Sequence, residues 1–197
     1  MSALIRAYQR QLMLNPLRTA AIQSAFVFTT GDVIAQQMIE KRGWEGHDTQ
    51  RSLRAMLYAF CVNGPVVSKW FSFLSNAVTI KHPVGAVGAR LAIDQVVFAP
   101  TILAMYFTGI SWLEGRSMNE LYEKFDQSYA TTLKNSYQFW PMLNLVNFSV
   151  IPAIYRPLFS SCGSIVWNTY LSYANQIALG KPHSLSLKGP EQFRSLV

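Results

Sequence analysis

The chain has 197 residues, half of them hydrophobic, with 17 basic and 10 acidic residues and a formal net charge of +7. This length suits one domain, and a basic excess can indicate either nucleic acid or an anionic membrane surface as a partner. Because no block of lysine and arginine exceeds two adjacent residues, direct binding of nucleic acid is not expected.

The first 31 residues contain no acidic side chain. Arg6, Arg10 and Arg18 alternate with apolar residues at helical spacing. An acid-poor amphipathic segment with arginines is typical of mitochondrial targeting sequences, and an interfacial helix that is never cleaved has the same pattern. We expect an uncleaved amphipathic helix over residues 1–14 that also serves targeting.

The first apolar helix is predicted over residues 17–39. Small residues four apart, such as Ala21 and Ala25, allow a second helix to approach closely. Asp32 and Gln36 are also four residues apart and therefore share one face of the helix. Since lipid offers no hydrogen-bond partners, both side chains should find partners within the protein.

The second apolar helix is predicted over residues 51–80. It contains Gly64-Pro65 in the middle of the run and Lys69 shortly after. A proline inside a helix removes one backbone hydrogen bond and kinks the chain. Gly64 and Pro65 therefore predict a local break.

The third apolar helix is predicted over residues 84–113. Arg90, Asp94 and Gln95 lie within it, and Pro100 follows as a second predicted break. Arg90 and Asp94 are four residues apart, so their side chains can pair on one face of the helix.

An amphipathic helix is predicted over residues 117–137. Ser117 and Glu120 have the spacing of a capping box, in which each side chain binds the other's backbone N–H group. Apolar residues recur every fourth position after this start, which favours a location on the membrane surface; in a soluble protein the same pattern would pack on the core.

Two further apolar helices are predicted over residues 138–156 and 158–178, followed by a loose tail over 181–197. Residues 135–155 and 157–180 contain no formal charge. A bilayer core of about 30 Å takes about 20 helical residues to cross. The chain is therefore predicted to be an all-α integral membrane bundle with four transmembrane helices, or five if 158–178 crosses separately.

No catalytic constellation is present in the sequence. Its histidines lie in predicted loops or the tail, and it contains no nucleophile motif or phosphate-binding loop. We expect no enzymatic activity, no cofactor and no metal site. Cys61 and Cys162 lie in apolar runs, which predicts buried small side chains rather than a disulfide framework.

Polar side chains within the apolar helices are the candidate functional residues. They are Asp32, Gln36, Lys69, Arg90, Asp94, Gln95, Asn147 and Arg156, with helix breaks at Gly64, Pro65, Pro100, Pro141 and Pro152. A charged residue at the centre of a membrane helix costs about 2.5 to 3.5 kcal/mol on insertion scales. Two interpretations stay open: the charges pair and lock the bundle, or some of them line a polar path for ions or metabolites.

Several short motifs together resemble the Mpv17/PMP22 family of small membrane proteins, over roughly residues 8–176. They are Gly31-Asp32-Val33-Ile34-Ala35-Gln36, Gly64-Pro65 with Trp70, Asp94-Gln95 with Pro100, Trp140-Pro141, Asn147-Phe148 with Pro152 and Arg156, and Trp167-Asn168-Thr169-Tyr170-Leu171-Ser172. The likeness is greatest to the fungal, stress-inducible mitochondrial branch.

The resemblance implies the mitochondrial inner membrane, with the peroxisomal membrane as the alternative. It also implies a channel-like passage of small solutes or ions that supports mitochondrial homeostasis under metabolic or heat stress. The other function that stays open is a structural or scaffolding membrane protein that transports nothing. The expected partners are the lipid bilayer and small solutes, and association with further copies of the chain is left open.

Overall fold

The computed structural model describes residues 8, 10, 11, 14–80, 82–150 and 156–178, which form helices and short connections without a β-strand among them. The all-α fold class is therefore confirmed. Five long helices follow one another: α1 (Pro16–Ile34 and a π-helical turn, Ala35–Ile39), α2 (Thr49–Tyr58, a π-helical turn, Ala59–Asn63, and Gly64–Ala77), α3 (Pro83–Ile93, a π-helical turn, Asp94–Phe98, and Ala99–Leu113), α4 (Met118–Lys124, a π-helical turn, Phe125–Tyr129, and Ala130–Ser149) and α5 (Arg156–Ala178).

Helix α4 joins two segments that the sequence divides. The amphipathic stretch over 117–137 and the start of the apolar stretch over 138–156 belong to one continuous helix that ends at Ser149. The predicted capping box at its start is confirmed, since Ser117 and Glu120 bind each other's backbone N–H groups. Most of the predicted 1–14 helix and the whole of the predicted tail over 181–197 lie outside the described residues.

The predicted helix breaks at Pro65 and Pro100 take the form of π-helical turns. Each turn ends just before the proline: one runs to Asn63 and the other to Phe98, and the chain stays helical through the proline. A π-helical turn widens the helix by one residue and is often found at functional sites. Pro141 lies inside the helical segment Ala130–Ser149, and Pro152 lies outside the described residues.

The five helices form a closed ring in chain order, because each packs on the next and α5 packs back on α1. Two glycines permit the closest approaches. A Cβ atom at Gly31 would lie 2.8 Å from Asn168 Cβ and 2.9 Å from Thr169 N on α5. A Cβ atom at Gly64 would lie 2.6 Å from the Cα of Ala21 on α1. Any larger residue would therefore push these helices apart.

Short connections make neighbouring helices antiparallel, so the ring has two distinct ends. At one end, here named the charged end, α1, α3 and α5 finish and α2 and α4 begin. The buried apolar core lies towards this end and is built mainly of aromatic and leucine side chains: Phe28, Tyr58, Leu103, Tyr106, Phe107, Ile110, Trp167 and Leu171.

The outward face of the ring is strongly apolar. Ile22, Phe26, Phe73 and Val96 are each more than half exposed, as expected for helices surrounded by hydrocarbon. Among the described residues, one segment, Gly88–Leu113, is long and apolar enough on its own to cross a membrane. The predicted set of four or five such helices is thus not apparent from composition alone.

The expectation of buried cysteines is wrong, because Cys61 and Cys162 are both free and exposed. A small apolar side chain in a membrane helix gains nothing by turning inward, since lipid is as apolar as a protein core. The apolar sequence context of the two cysteines therefore does not distinguish the inside of the ring from its outside.

Candidate functional site

A cavity of about 740 Å³ lies inside the ring and is lined by all five helices. Polar side chains from every helix reach it: Gln23, Asn63, Asp94, Gln95, Asn144 and Asn168. Asp94 and Gln95 are the first two residues of the π-helical turn in α3, and Asn63 is the last of the π-helical turn in α2. These turns therefore direct polar groups into the ring.

Asp94 is the one charged side chain among the described residues that line the cavity. Its Oδ1 accepts a hydrogen bond from Trp70 Nε1 at 3.0 Å, and its Oδ2 accepts one from Gln95 Nε2 at 3.2 Å. The indole of Trp70 stacks on the ring of Phe98 with centroids 4.8 Å apart. Both hydrogen bonds that the carboxylate accepts therefore come from neutral donors.

The predicted pairing of Arg90 with Asp94 is not among the described contacts. Arg90 is half-buried, and its Nη2 donates to the Val78 carbonyl at 3.1 Å. The i, i+4 spacing permits the pair, but the Asp94 carboxylate is held by Trp70 on α2 instead.

Two further acceptors lie at the cavity wall. Gln95 Oε1 and Asn168 Oδ1 are buried and accept no hydrogen bond from the described residues. Asn168 is 5 % exposed, and its Nδ2 donates to the Ser164 carbonyl at 2.7 Å. The cavity wall therefore offers hydrogen-bond acceptors, together with one negative charge.

A second polar cluster, the Asp32 network, lies at the charged end. Asp32 is fully buried, and Arg51 on α2 is 5 % exposed. Arg51 Nε lies 2.7 Å from Asp32 Oδ1. The same guanidinium binds both carboxylate oxygens of Glu40, with Nη2 at 2.8 Å and Nη1 at 3.0 Å. One buried cation thus holds two carboxylates.

Each oxygen of the Asp32 carboxylate has two partners. Oδ1 accepts from Arg51 and from the Ser172 hydroxyl of α5, and Oδ2 accepts from Ser52 Oγ at 2.6 Å and Gln36 Nε2 at 2.8 Å. A buried ion pair compensates for desolvation only when its remaining hydrogen-bond sites are filled. This arrangement meets that condition and ties α1, α2 and α5 together.

The connection between α1 and α2 extends the network. Asp48 N donates to Gln36 Oε1 at 2.7 Å, while the Asp48 carboxylate accepts from Arg51 N at 3.0 Å and caps α2. His47 Nε2 lies 3.2 Å from Ser52 Oγ. His47 lies in the loop predicted from the sequence, but its ring is half-buried and packs against the network rather than standing free in solvent.

A third cluster stands beside a polar depression of about 320 Å³ at the charged end. Lys124 on α4 is 2 % exposed and donates to Ser111 Oγ at 2.9 Å, with Glu114 Oε2 at 3.4 Å. Asn175 on α5 donates to Glu114 Oε1 at 3.0 Å. The C-terminal part of α5 is therefore held by two separate charge clusters.

Six of the eight polar candidates have side chains that the structure describes, and these six fall into three groups. Asp32 and Gln36 belong to the buried network, whereas Asp94 and Gln95 line the cavity. Lys69, which is exposed, and Arg90, which is half-buried, line neither the cavity nor the depression. The side chains of Asn147 and Arg156 lie outside what the structure describes.

Sequence reasoning missed most partners of Asp32. Arg51 is recognisable only as a basic residue opening the second helix, and Ser172 only as the end of the Trp167 to Ser172 motif. The pairing of Arg51 with Asp32 could have been predicted. An antiparallel neighbour brings the start of α2 beside the end of α1, and a buried acid there needs a cation. Among the described residues, no three His, Cys, Asp or Glu side chains converge as a metal site would require.

Known fungal and animal proteins are similar to this chain along most of its length. The family model for the Mpv17 / PMP22 family matches residues 111–172. Protein SYM1 of Gibberella zeae is 41% identical over 89% of this chain and 99% of its own length. Protein sym-1 of Neurospora crassa is 38% identical over 85% of this chain and 96% of its own.

Animal relatives match over a similar extent. The Mitochondrial inner membrane protein Mpv17 of Xenopus laevis is 34% identical over 88% of this chain and 97% of its own length. No solved structure matches the chain. Because these relatives align along nearly their whole length, the resemblance seen in the motifs is confirmed. The chain belongs to the Mpv17/PMP22 family and is a protein of the mitochondrial inner membrane.

Proposed function

We propose that the chain is a channel-like protein that passes small polar solutes through the ring of α1 to α5, and that this supports mitochondrial homeostasis under metabolic or heat stress. The observation that carries the proposal is the 740 Å³ cavity lined by all five helices, with Asp94 as its charged residue. A cavity of this volume matches the size of sites that hold small molecules.

In this proposal all five helices cross the membrane. The shortest, α5, has 23 residues, and at 1.5 Å per residue about 20 residues span the hydrocarbon core. Helices α1, α2, α4 and α5 are less apolar than α3 because they carry more polar residues. Several of those residues, Asp32, Asn63 and Asn168 among them, face the cavity or the charge networks rather than lipid, which is where intramembrane polar groups are tolerated.

The lining favours a class of solute. No lysine or arginine is among the described residues of the cavity wall, whereas Asp94, Gln95 and Asn168 present acceptor oxygens. Solutes that donate hydrogen bonds, either neutral or cationic, would find partners there. Anions would meet the Asp94 carboxylate without a compensating cation, so we expect them to pass less readily.

Swelling of proteoliposomes in isosmotic erythritol tests the proposal. Purified protein should make the vesicles swell faster than protein-free vesicles. Ser164→Trp fills the cavity from α5 and should slow the swelling, while Val166→Trp, which lies outward on the same helix and is 60 % exposed, should not. Folded wild-type protein that gives no swelling would contradict the channel.

The alternative is a scaffold that transports nothing. The Asp32 network supports it, because a buried ion pair that joins three helices is a device for rigidity. A scaffold predicts no swelling in any variant.

The channel proposal involves no catalytic step and no cofactor. Its partners are the bilayer and the solute. Self-association would be measured by cross-linking in the membrane.

A further inference from the structure

The two ends of the central cavity differ in exposure. At the end away from the charged end, its lining includes Tyr8 and Phe71, which are 41 % and 56 % exposed. Towards the charged end its lining includes Tyr106, Leu171 and Trp167, which are at most 8 % exposed. The cavity is therefore open at one end and closed at the other.

Beyond the closed end lies the polar depression. Arg51, Glu114 and Gln176 line it. On α3, Tyr106 at the cavity and Glu114 at the depression are separated by two helical turns, about 12 Å at 1.5 Å per residue. A wall about two side-chain layers thick therefore separates the cavity from the depression within one ring of helices.

The first layer of this wall, here named the aromatic layer, consists of Phe28, Tyr58 and Tyr106 from α1, α2 and α3. Tyr58 and Tyr106 meet edge to face with centroids 5.5 Å apart, and Phe28 lies 5.9 Å from Tyr58 and 6.2 Å from Tyr106. Tyr58 is 2 % exposed, yet its hydroxyl has no hydrogen-bond partner among the described residues. The closed arrangement thus leaves one buried donor unsatisfied, which disfavours it.

The second layer, here named the charged layer, is the ion pair of Asp32 and Arg51 with Ser172. Asp32 lies one turn beyond Phe28 on α1, and Ser172 lies one turn beyond the cavity residue Asn168 on α5. Arg51 lines the depression while it binds Asp32. Arg51 of the charged layer therefore borders the depression, and Phe28 and Tyr106 of the aromatic layer border the cavity.

We propose that the aromatic and charged layers together form the gate of the solute path, and that the structure shows this gate closed. The inference rests on the proposed channel function. Passage would require the three rings to separate and Arg51 to leave Asp32. Arg51 has a second binding position at hand, because Glu40 already binds it and Asp48 and Glu114 line the same depression. Packed elements with two discrete sets of partners switch rather than deform gradually.

Thiol accessibility from each face of the membrane tests the gate. In a background of Cys61→Ser and Cys162→Ser, Ser164→Cys places a thiol in the cavity and Gln176→Cys places one in the depression. In proteoliposomes of known orientation, a membrane-impermeant thiol reagent should modify each of them from one face only, and from opposite faces.

Removing a ring from the aromatic layer should abolish this separation. With Tyr106→Ala, the Ser164→Cys thiol should react from both faces, at least about tenfold faster than before from the charged end. Tyr106→Phe keeps the ring and should leave the reaction one-sided. Phe28→Leu tests the same layer while retaining most of the apolar volume, should Tyr106→Ala not fold.

Two results would overturn the gate: modification of the Ser164→Cys thiol from both faces before the layer is altered, or one-sided reaction that persists in folded Tyr106→Ala and Phe28→Leu proteins. Conductance of the same variants separates this inference from the channel itself. If the Ser164→Cys thiol reacts from both faces only after Tyr106→Ala, and no variant conducts, the barrier is supported and the channel is contradicted. Wild-type conductance that Tyr106→Ala leaves unchanged contradicts the gate and supports the channel.

Discussion

The guanidinium of Arg51 contacts the carboxylate of Asp32 at 2.7 Å in a position where both side chains are almost completely buried. The two residues belong to consecutive antiparallel helices, and Ser172 from α5 completes the contact. In a low-dielectric interior an ion pair with all its hydrogen-bond sites filled specifies one arrangement of the helices around it. This contact therefore determines how three of the five helices meet at the charged end.

Asp32→Asn should destabilise the protein strongly. It leaves Arg51 buried with Glu40 as its remaining anion, and breaking a buried pair typically costs about 3 to 5 kcal/mol. Because Glu40 stays in place, we expect the free energy of unfolding to fall by about 3 kcal/mol. Unfolding in detergent measures it. Asp126→Asn is the matched control, since Asp126 is exposed and should change stability by less than about 0.5 kcal/mol. A loss of stability no larger than that of the control would show that the pair contributes nothing net.

Gly31→Ala should also destabilise, for a steric reason. The added methyl would lie 2.9 Å from the Asn168 carbonyl carbon and from Thr169 N, and backbone atoms cannot yield as side chains do. Overpacking of this kind costs about 1 to 3 kcal/mol.

Gly88→Ala on α3 is the control, since its methyl would meet nothing within 4 Å. That change should be neutral or stabilise by up to about 1 kcal/mol through helix propensity. Thermal unfolding of both variants makes the comparison, and equal midpoints would contradict the close approach of α1 and α5.

The cap of α4 should make stability depend on acidic pH. The Ser117 backbone N–H group and the Arg116 side chain hold the pKa of the Glu120 carboxyl at about 2, below its ordinary range. A carboxyl whose pKa is lowered by folding stabilises the protein above its unfolded pKa of about 4.3 and loses that contribution as pH falls towards 2. Glu120→Gln should therefore be less stable than wild type at neutral pH, and the difference should shrink between about pH 4 and pH 2. If the stability difference between Glu120→Gln and wild type did not change with pH, it would come from the shape of the side chain and not from its charge.

The sequence identifies polar residues that are unusual within an apolar helix, but it identifies few of their partners. Asp32 and Gln36 stand out because a helical repeat puts them on one face of an apolar helix, and they do meet. Ser172 lies 140 residues from Asp32, and nothing local to a serine indicates that it will accept this role. The pairing depends on which helices become neighbours, and this is a property of the whole ring.

Along α4, the boundary between amphipathic and apolar sequence does not coincide with the end of a helix. The change from amphipathic to apolar residues near residue 137 indicates where the surroundings of the helix change, yet the backbone continues as a helix to Ser149. In the same way, apolar context predicts burial for Cys61 in a water-soluble fold, but this ring has an apolar outward face too, and Cys61 is exposed. Periodicity therefore predicts the helices, while hydrophobicity alone does not identify their inward faces.

Whether Asp94 borders a path for solutes is tested most directly by the reversal potential of purified protein in a planar bilayer under a potassium chloride gradient. A unit charge about 4 Å from a passing ion contributes about 1 kcal/mol even in water. The proposed path predicts conductance that favours potassium over chloride. Because the Asp94 carboxylate attracts potassium and repels chloride by about 1 kcal/mol each, the permeability ratio should fall by roughly thirty-fold in Asp94→Asn and should not change in the exposed control Asp126→Asn. Folded protein that conducts nothing, or an Asp94→Asn protein with the reversal potential of wild type, would contradict it.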